Sequence, residues 1–349
     1  MPPPAPLQLP EPDADALAHS ARLAALVRAE IARAGGALPF DRFMELALYA
    51  PGLGYYSAGA RRFGSAGDFV TAPELSPLFG RCLAAQAAEL LDAVGGGELL
   101  ELGAGRGTLA ADLLLELEAL GALPARYLVL ELSGSLRAEQ RATLAARAPH
   151  LLPRVRWLDG PPAAGFRGLM FGNEVADALP VSRFRVTAGA VAEAHVSADG
   201  AGFGWAWQPA AAPLAARVAA LLDEVGPLPD GYTSELCLRL APWLGDLAGR
   251  LARGALLLVD YGYPRREYYH PQRADGTLQC HYRQRAHADP LRLLGLQDLT
   301  AHVDFTAVAE AGVAAGLQLA GYTSQAWFLF GCGLERLLAA ADPADDASH

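Results

Sequence analysis

An α/β fold with a doubly wound parallel sheet is the class this sequence predicts, on three observations. Residues 98–107 (ELLELGAGRG) run a short apolar strand into a glycine turn, and Leu109, Leu113, Leu114, Leu117 and Leu120 follow at helical spacing. Downstream, strand and helix patterns alternate, which implies right-handed βαβ crossovers and a sheet covered on both faces. Residues 255–261 (ALLLVDY) open as a continuous apolar run, the pattern of a strand buried on both sides.

The elements read in order. Residues 1–12 are a proline-rich tail, and 13–33 place Leu23, Leu26, Val27 and Ile31 on one helical face before Gly35-Gly36 closes the helix. A second helix over 39–49 buries Phe40, Phe43, Met44, Leu46 and Ala47. Residues 54–76 form a long loop rich in glycine, aromatics and charge, the kind that carries function. A helix over 76–94 leads into core strands at 98–102, 127–132, 155–158 and 168–172, with helices at 108–120 and 135–147. Segments 183–186, 190–196 and 203–208 alternate between glycine turns and predict an inserted antiparallel meander. Helical patterns at 211–225 and 235–253, the apolar strand, a polar loop at 262–295, a helix begun by Asp304 and elements near 317–322 and 327–338 complete the chain. The organisation expected is a tail (1–12), a helical region with a covering loop (13–95), a core (96–182 and 254–340) and an inserted β-rich and helical lobe (183–253).

Composition excludes several function classes. With 52% apolar and 19% charged residues over 349 positions, the chain sustains a packed core. A net charge of −10 gives no electrostatic basis for binding nucleic acid. All 28 basic residues are arginine, so neither a Schiff-base lysine nor a P-loop lysine is present. Four scattered cysteines without a C-x-x-C pair predict reduced thiols. His281 and His287 lack metal-ligand spacing, so no metal is expected. No apolar run approaches the roughly 20 residues of a membrane span. The first residues lack the basic and apolar regions of a signal peptide and are too acidic for a mitochondrial presequence, so a cytoplasmic, bacterial location is expected.

The glycine turn carries the most chemistry. A dinucleotide fingerprint needs G-x-G-x-x-G, and counting from Gly103 and Gly105 puts Thr108 at the last position. The third glycine stands one residue early, at Gly107, and Glu101 precedes the first by two. Gly103, Ala104, Gly105 and Gly107 would let a cofactor approach the backbone closely. Ligands of open α/β sheets sit at the carboxyl ends of strands, so the acids there are candidates. Glu131 suits a pair of ribose hydroxyls; Asp159 suits an adenine amine or equally a turn. Asn173, Glu174, Asp177 and Asp260 predict a polar pocket, since burying charge without partners is costly. An acidic rim of this kind suits a cationic substrate. His281, in the arginine-rich loop 273–289, is a candidate proton acceptor, and the 298–304 stretch reads first as a helix N-cap.

The E-x-G-x-G-x-G form resembles motif I of class I S-adenosylmethionine-dependent methyltransferases. Taken with residues 39–56 (PFDRFMELALYAPGLGYY), 67–76 (GDFVTAPELS), 173–180 (NEVADALP), 260–263 and 276–304, the chain resembles the MidA-like methyltransferases from about residue 30 to 335. That resemblance implies a class I methyltransferase, Rossmann-like fold with extra N-terminal helices and an inserted lobe, and S-adenosylmethionine as cofactor. For the mitochondrial members, which assist assembly of respiratory complex I, it implies symmetric dimethylation of a protein arginine. By position it implies a cofactor site of Glu101, Gly103, Ala104, Gly105, Gly107 and Glu131, covered by a loop holding Asp68, Thr71 and Pro73, with Asn173, Glu174 and Asp260 facing the substrate. Gln284 departs from the pattern, standing where a second histidine is expected.

The leading expectation is therefore methyl transfer to an arginine guanidinium of a protein substrate, with a respiratory-complex subunit as a candidate partner and a homodimer as a candidate assembly. Three other readings stay open. The chain suits an assembly factor that binds the cofactor for structure, a small-molecule methyltransferase, or, against the evidence of Thr108, an NAD-dependent oxidoreductase.

Overall fold

The structure, a computed structural model, describes residues 9–58, 72–200 and 202–340. Its centre is a five-stranded parallel sheet in the order Leu251–Val259, Phe166–Asn173, Glu98–Leu102, Tyr127–Leu130, Val155–Leu158. Side chains alternate across it as strand geometry demands. Leu99, Tyr127, Val129, Leu169 and Phe171 join one core with helices Leu78–Val94 and Thr108–Ala119. Leu100, Leu102, Leu128 and Met170 join another with Leu247 of helix Leu240–Arg250. Each buried aliphatic or aromatic side chain contributes about 1.5–3 kcal/mol, so both faces anchor the sheet. From Glu98–Leu102 the chain winds outward through Tyr127–Leu130, then returns to lay Phe166–Asn173 on the other side. The carboxyl ends of those two neighbours, Leu102 and Asn173, therefore flank the switch in strand order, where such sheets hold ligands.

Two parts of the sequence reading change. The apolar strand Leu251–Val259 pairs only with Phe166–Asn173; it is an edge strand, and its residues 255–259 are half-buried rather than covered on both faces. The helix expected over 235–253 forms only at Leu240–Arg250. Thr233–Leu236 is instead a strand on Ser182–Thr187, whose free edge supplies a backbone partner that local spacing does not announce.

The meander forms as predicted and recruits strands from elsewhere. Ala190–Asp199 pairs along its length with Gly202–Pro209, at one end with Ser182–Thr187 and at the other with Ala37–Pro39. The N-terminal helices Ala14–Arg33 and Phe40–Tyr49 pack on this sheet, bringing Leu23, Val27, Ile31, Phe40 and Phe43 against Ala194, Val196 and Leu299. The long loop 262–295 also contains structure. Gln279–Tyr282 pairs with Arg285–His287 on one edge and Asp298–Thr300 on the other. Arg283 and Gln284 have φ of +46° and +61°, the two-residue turn that suits a twisted hairpin, so Gln284 stands at a hairpin tip. Asp304 begins the helix Phe305–Ala314 as expected and caps it, its Oδ1 accepting from the Ala307 N–H at 3.1 Å. Residues 317–322 form neither helix nor strand, and 327–338 fall in helices Gln325–Gly331 and Leu334–Ala340. No helix among the described residues is long and apolar enough to cross a membrane.

Candidate functional site

A cavity of about 1050 Å³ opens at the switch point. That exceeds the roughly 300–1,000 Å³ of a usual ligand pocket, leaving space for a cofactor and an acceptor side chain together. One wall is the glycine turn. Gly103, Ala104 and Gly105 line it, and Glu101 reaches it from within the strand. Glu101 is 2% exposed and accepts a hydrogen bond from the Tyr127 hydroxyl at 2.7 Å. Burial, opposed by that bond, pushes its carboxyl up to about 7. Gly105 has φ +50°, and a Cβ added to it would meet no protein atom within 4 Å; it would stand in the cavity instead.

Glu131, at the end of the neighbouring strand, is fixed on both oxygens. Oε1 accepts from the Ser133 N–H at 2.8 Å and Oε2 from the Gln140 amide at 3.1 Å. Gln140 also donates to the Gly105 carbonyl at 2.9 Å and accepts from the Trp157 indole at 2.8 Å. This fully buried glutamine thus locks the acid to the glycine turn. Sequence reasoning missed it, because a single amide inside an amphipathic helix carries no pattern. Leu132 was missed too: it is 77% exposed and lines the cavity beside Glu131, an apolar plate where a flat ring can lie. Pro73 lines the same end, whereas Asp68 and Thr71 lie outside the described residues.

The opposite wall is acidic. Asn173, Glu174, Asp177, Asp298 and His281 line it, with Tyr49 and Tyr56 stacked at 5.6 Å behind. Glu174 holds φ +53°, a conformation costing a non-glycine residue on the order of 1–3 kcal/mol. Two contacts hold it there. Its N–H donates to the Val259 carbonyl at 2.8 Å, and Asp260 Oδ2 accepts from the N–H groups of Val175, Ala176 and Asp177 at 3.1, 2.8 and 3.3 Å. Burial first, then the Asp260 charge, push the Glu174 carboxyl up to about 7. Burial and the neighbouring His287 lower His281, leaving its imidazole neutral and able to accept a proton near pH 7.

Three predicted residues take other places. Asp260 does not line the cavity; its lone pairs are spent on the 175–177 backbone and the Tyr261 N–H, so it positions Glu174 rather than facing a substrate. Asp159 points into solvent, its side chain 97% exposed, and pairs with Arg137 at 2.7 Å. Gly107 also stands off the cavity. Its missing Cβ makes room for the backbone of Gln140, whose Cα would lie 3.0 Å away. At the other end of the 298–304 stretch from its cap, Asp298 is a buried wall acid that accepts from the Tyr56 hydroxyl at 2.9 Å.

Comparison with known proteins gives the family and its cofactor. The family model of S-adenosyl-L-methionine-dependent methyltransferases called Methyltransf_28 matches residues 82–323. The chain belongs to this family. A Burkholderia thailandensis protein crystallised bound to S-adenosyl-homocysteine is 52% identical, with a TM-score of 0.92, covering 98% of this chain and 88% of that one. Protein arginine methyltransferase NDUFAF7, mitochondrial, of Rattus norvegicus is 29% identical across 90% of this chain and 75% of its own length. The Drosophila melanogaster homologue of that mitochondrial enzyme is 29% identical over 97% of this chain and 82% of its own. As a member of Methyltransf_28 this is an S-adenosylmethionine-dependent methyltransferase, with the class I α/β fold. Its own residues suit that cofactor: the open space at Gly105 would receive it, and no helix N-terminus is asked to hold a pyrophosphate.

Proposed function

We propose that this methyltransferase acts in the bacterial cytoplasm and transfers its methyl group to a guanidinium nitrogen of an arginine in a protein substrate. The observation that carries the reading is the acidic wall facing the glycine turn across one cavity, with a neutral histidine set in it. The names of the curated relatives support the same choice of acceptor.

The geometry supports a role for each wall. Gly103, Ala104 and Gly105 would take the amino-acid portion of the cofactor, Glu131 its ribose hydroxyls, and Leu132 its ring. When bound, S-adenosylmethionine supplies an electrophilic methyl on a sulfonium that is already a good leaving group. What the protein must add is placement of the acceptor nitrogen in line, at about 3–3.5 Å, and a favourable field. A guanidinium in water stays protonated, with a pKa above about 12, and attacks poorly. Glu174 would hold it through charge-assisted hydrogen bonds and draw its positive charge away from the attacking nitrogen. Asn173 abuts Glu174, its amide 3.4 Å from Oε1, and steadies that carboxyl. His281 would accept the proton released on transfer.

The deciding experiment is transfer of labelled methyl from the cofactor into cell extract, followed by identification of the modified residue. Label in arginine of a protein is the expected result. Label confined to small molecules would replace the acceptor class, and saturable cofactor binding with no labelled acceptor would indicate an assembly role.

A further inference from the structure

Asp177 lacks a counter-charge among the described residues. It is 6% exposed, it lines the cavity, and its Oδ1 atom has no hydrogen-bond partner among the described residues. Burial first, then the charges of Asp260, Asp298 and Glu174, push its carboxyl well above the usual carboxylate range, so it ionises only when a positive partner arrives. Among the described residues, the arginines of the cavity wall, Arg106 and Arg239, are engaged elsewhere. Arg239 is held by Glu45 at 2.9 Å and Asp41 at 3.3 Å, and Arg106 by Glu139 at 2.7 Å. The wall histidines, His281 and His302, are both lowered by burial and bring no positive charge.

A buried acceptor left without a donor costs about 1–3 kcal/mol, and more when charged. Folds rarely keep such a group without a use for it. Here the backbone fixes it in place: the Asp177 N–H donates to Asp260 at 3.3 Å and its carbonyl accepts from the Ala301 N–H at 3.0 Å. The main chain that carries this carboxyl is thereby fixed at the cavity wall.

We propose that Asp177 is the specificity-determining anchor for a cationic, guanidinium-class acceptor group, its Oδ1 accepting an N–H from one edge of that group while Glu174 takes another. A planar guanidinium presents its donors in a rigid fork, so two carboxylates on one wall accept from two of its nitrogens and leave the third towards the cofactor. A neutral group of the same shape leaves Asp177 uncompensated and is rejected. This rests on the cationic-acceptor reading above.

The test titrates methylguanidinium and its neutral isostere methylurea into the full chain saturated with S-adenosyl-homocysteine, by calorimetry. The wild-type protein is expected to prefer the cation at least about tenfold. Asp177→Asn keeps the shape, removes the charge and should weaken methylguanidinium about tenfold, the loss expected of one hydrogen bond to a charged group. Its affinity for S-adenosyl-homocysteine, within twofold of wild type, reports that the cavity is still folded. If wild type discriminates and Asp177→Asn discriminates equally well, the Asp177 assignment is overturned while the cationic reading stands. If wild type shows no preference, the cationic reading falls and takes Asp177 with it. Should Asp177→Asn lose the cofactor product, the carboxyl carbon resonance of Asp177 in the wild-type protein gives the answer. It must move on addition of methylguanidinium, and an unmoved resonance overturns the proposal.

Discussion

Adding carbon at Gly105 and at Gly107 should separate a ligand-facing glycine from a packing one, although the two lie two residues apart in the same turn. Gly105 has φ +50° and open space where its Cβ would go. A side chain there pays only for left-handed backbone, about 1–2 kcal/mol, so Gly105→Val should fold with a modest loss of stability. The three added carbons, however, occupy the cavity face that the cofactor needs. Overpacking costs about 1–3 kcal/mol, and each 1.4 kcal/mol is tenfold in affinity, so S-adenosyl-homocysteine should bind about 100-fold more weakly. Gly107, at φ +83°, is the reverse case: its Cβ would meet Gln140 Cα at 3.0 Å, and helix backbone cannot step aside cheaply. Gly107→Ala should lose about 2–4 kcal/mol of stability, combining backbone strain and overpacking. Calorimetry for the ligand and urea denaturation for the fold give both quantities for each variant. Wild-type affinity in Gly105→Val would refute the placement of the cofactor at this turn, and wild-type stability in Gly107→Ala would refute the packing assignment.

Other perturbations test the acidic wall and its support. Glu174→Gln should bind S-adenosyl-homocysteine normally and slow labelled-methyl transfer about 100-fold, the scale of losing one well-placed electrostatic group; near-normal turnover would remove Glu174 from the reaction. Because the Glu174 carboxyl sits at about 7, it ionises only above that pH, so wild-type kcat/KM should climb through pH 7 and then level. A flat wild-type profile between pH 5.5 and 8.5 would contradict the need for its charge. Glu101, raised to about 7, retains in the folded state a proton that the unfolded chain, at about 4.3, has lost. Its contribution to stability therefore declines as pH rises from about 4.3 to 7, and Glu101→Gln should shallow that slope in urea melts. Asp260→Ala frees the exposed Tyr261 N–H and the three N–H groups of 175–177; at about 1 kcal/mol for each of those three it should cost about 3 kcal/mol while impairing transfer through the displaced Glu174. A variant as stable as wild type would show that Asp260 does not hold the 174–177 backbone.

Much of the cofactor half of this protein is legible in the chain itself. Strand, glycine turn and helix at 98–119 are contiguous, so local spacing specifies them, and the carboxyl end of the next strand necessarily brings Glu131 to the same rim. The alternation of elements was enough to predict the parallel sheet, and the short alternating segments after residue 182 were enough to predict the meander. The acceptor half was legible only as a composition of acids. Asp177, Asp260 and Asp298 look alike in sequence, yet one has an oxygen without a donor among the described residues, one spends its lone pairs on backbone and one accepts from Tyr56. Gln140 became visible only when its helix packed against both the glycine turn and Glu131. Backbone periodicity is a property of neighbours along the chain, whereas the use of a carboxylate's lone pairs depends on neighbours in space. Tertiary packing alone decided which acids remain available to a substrate.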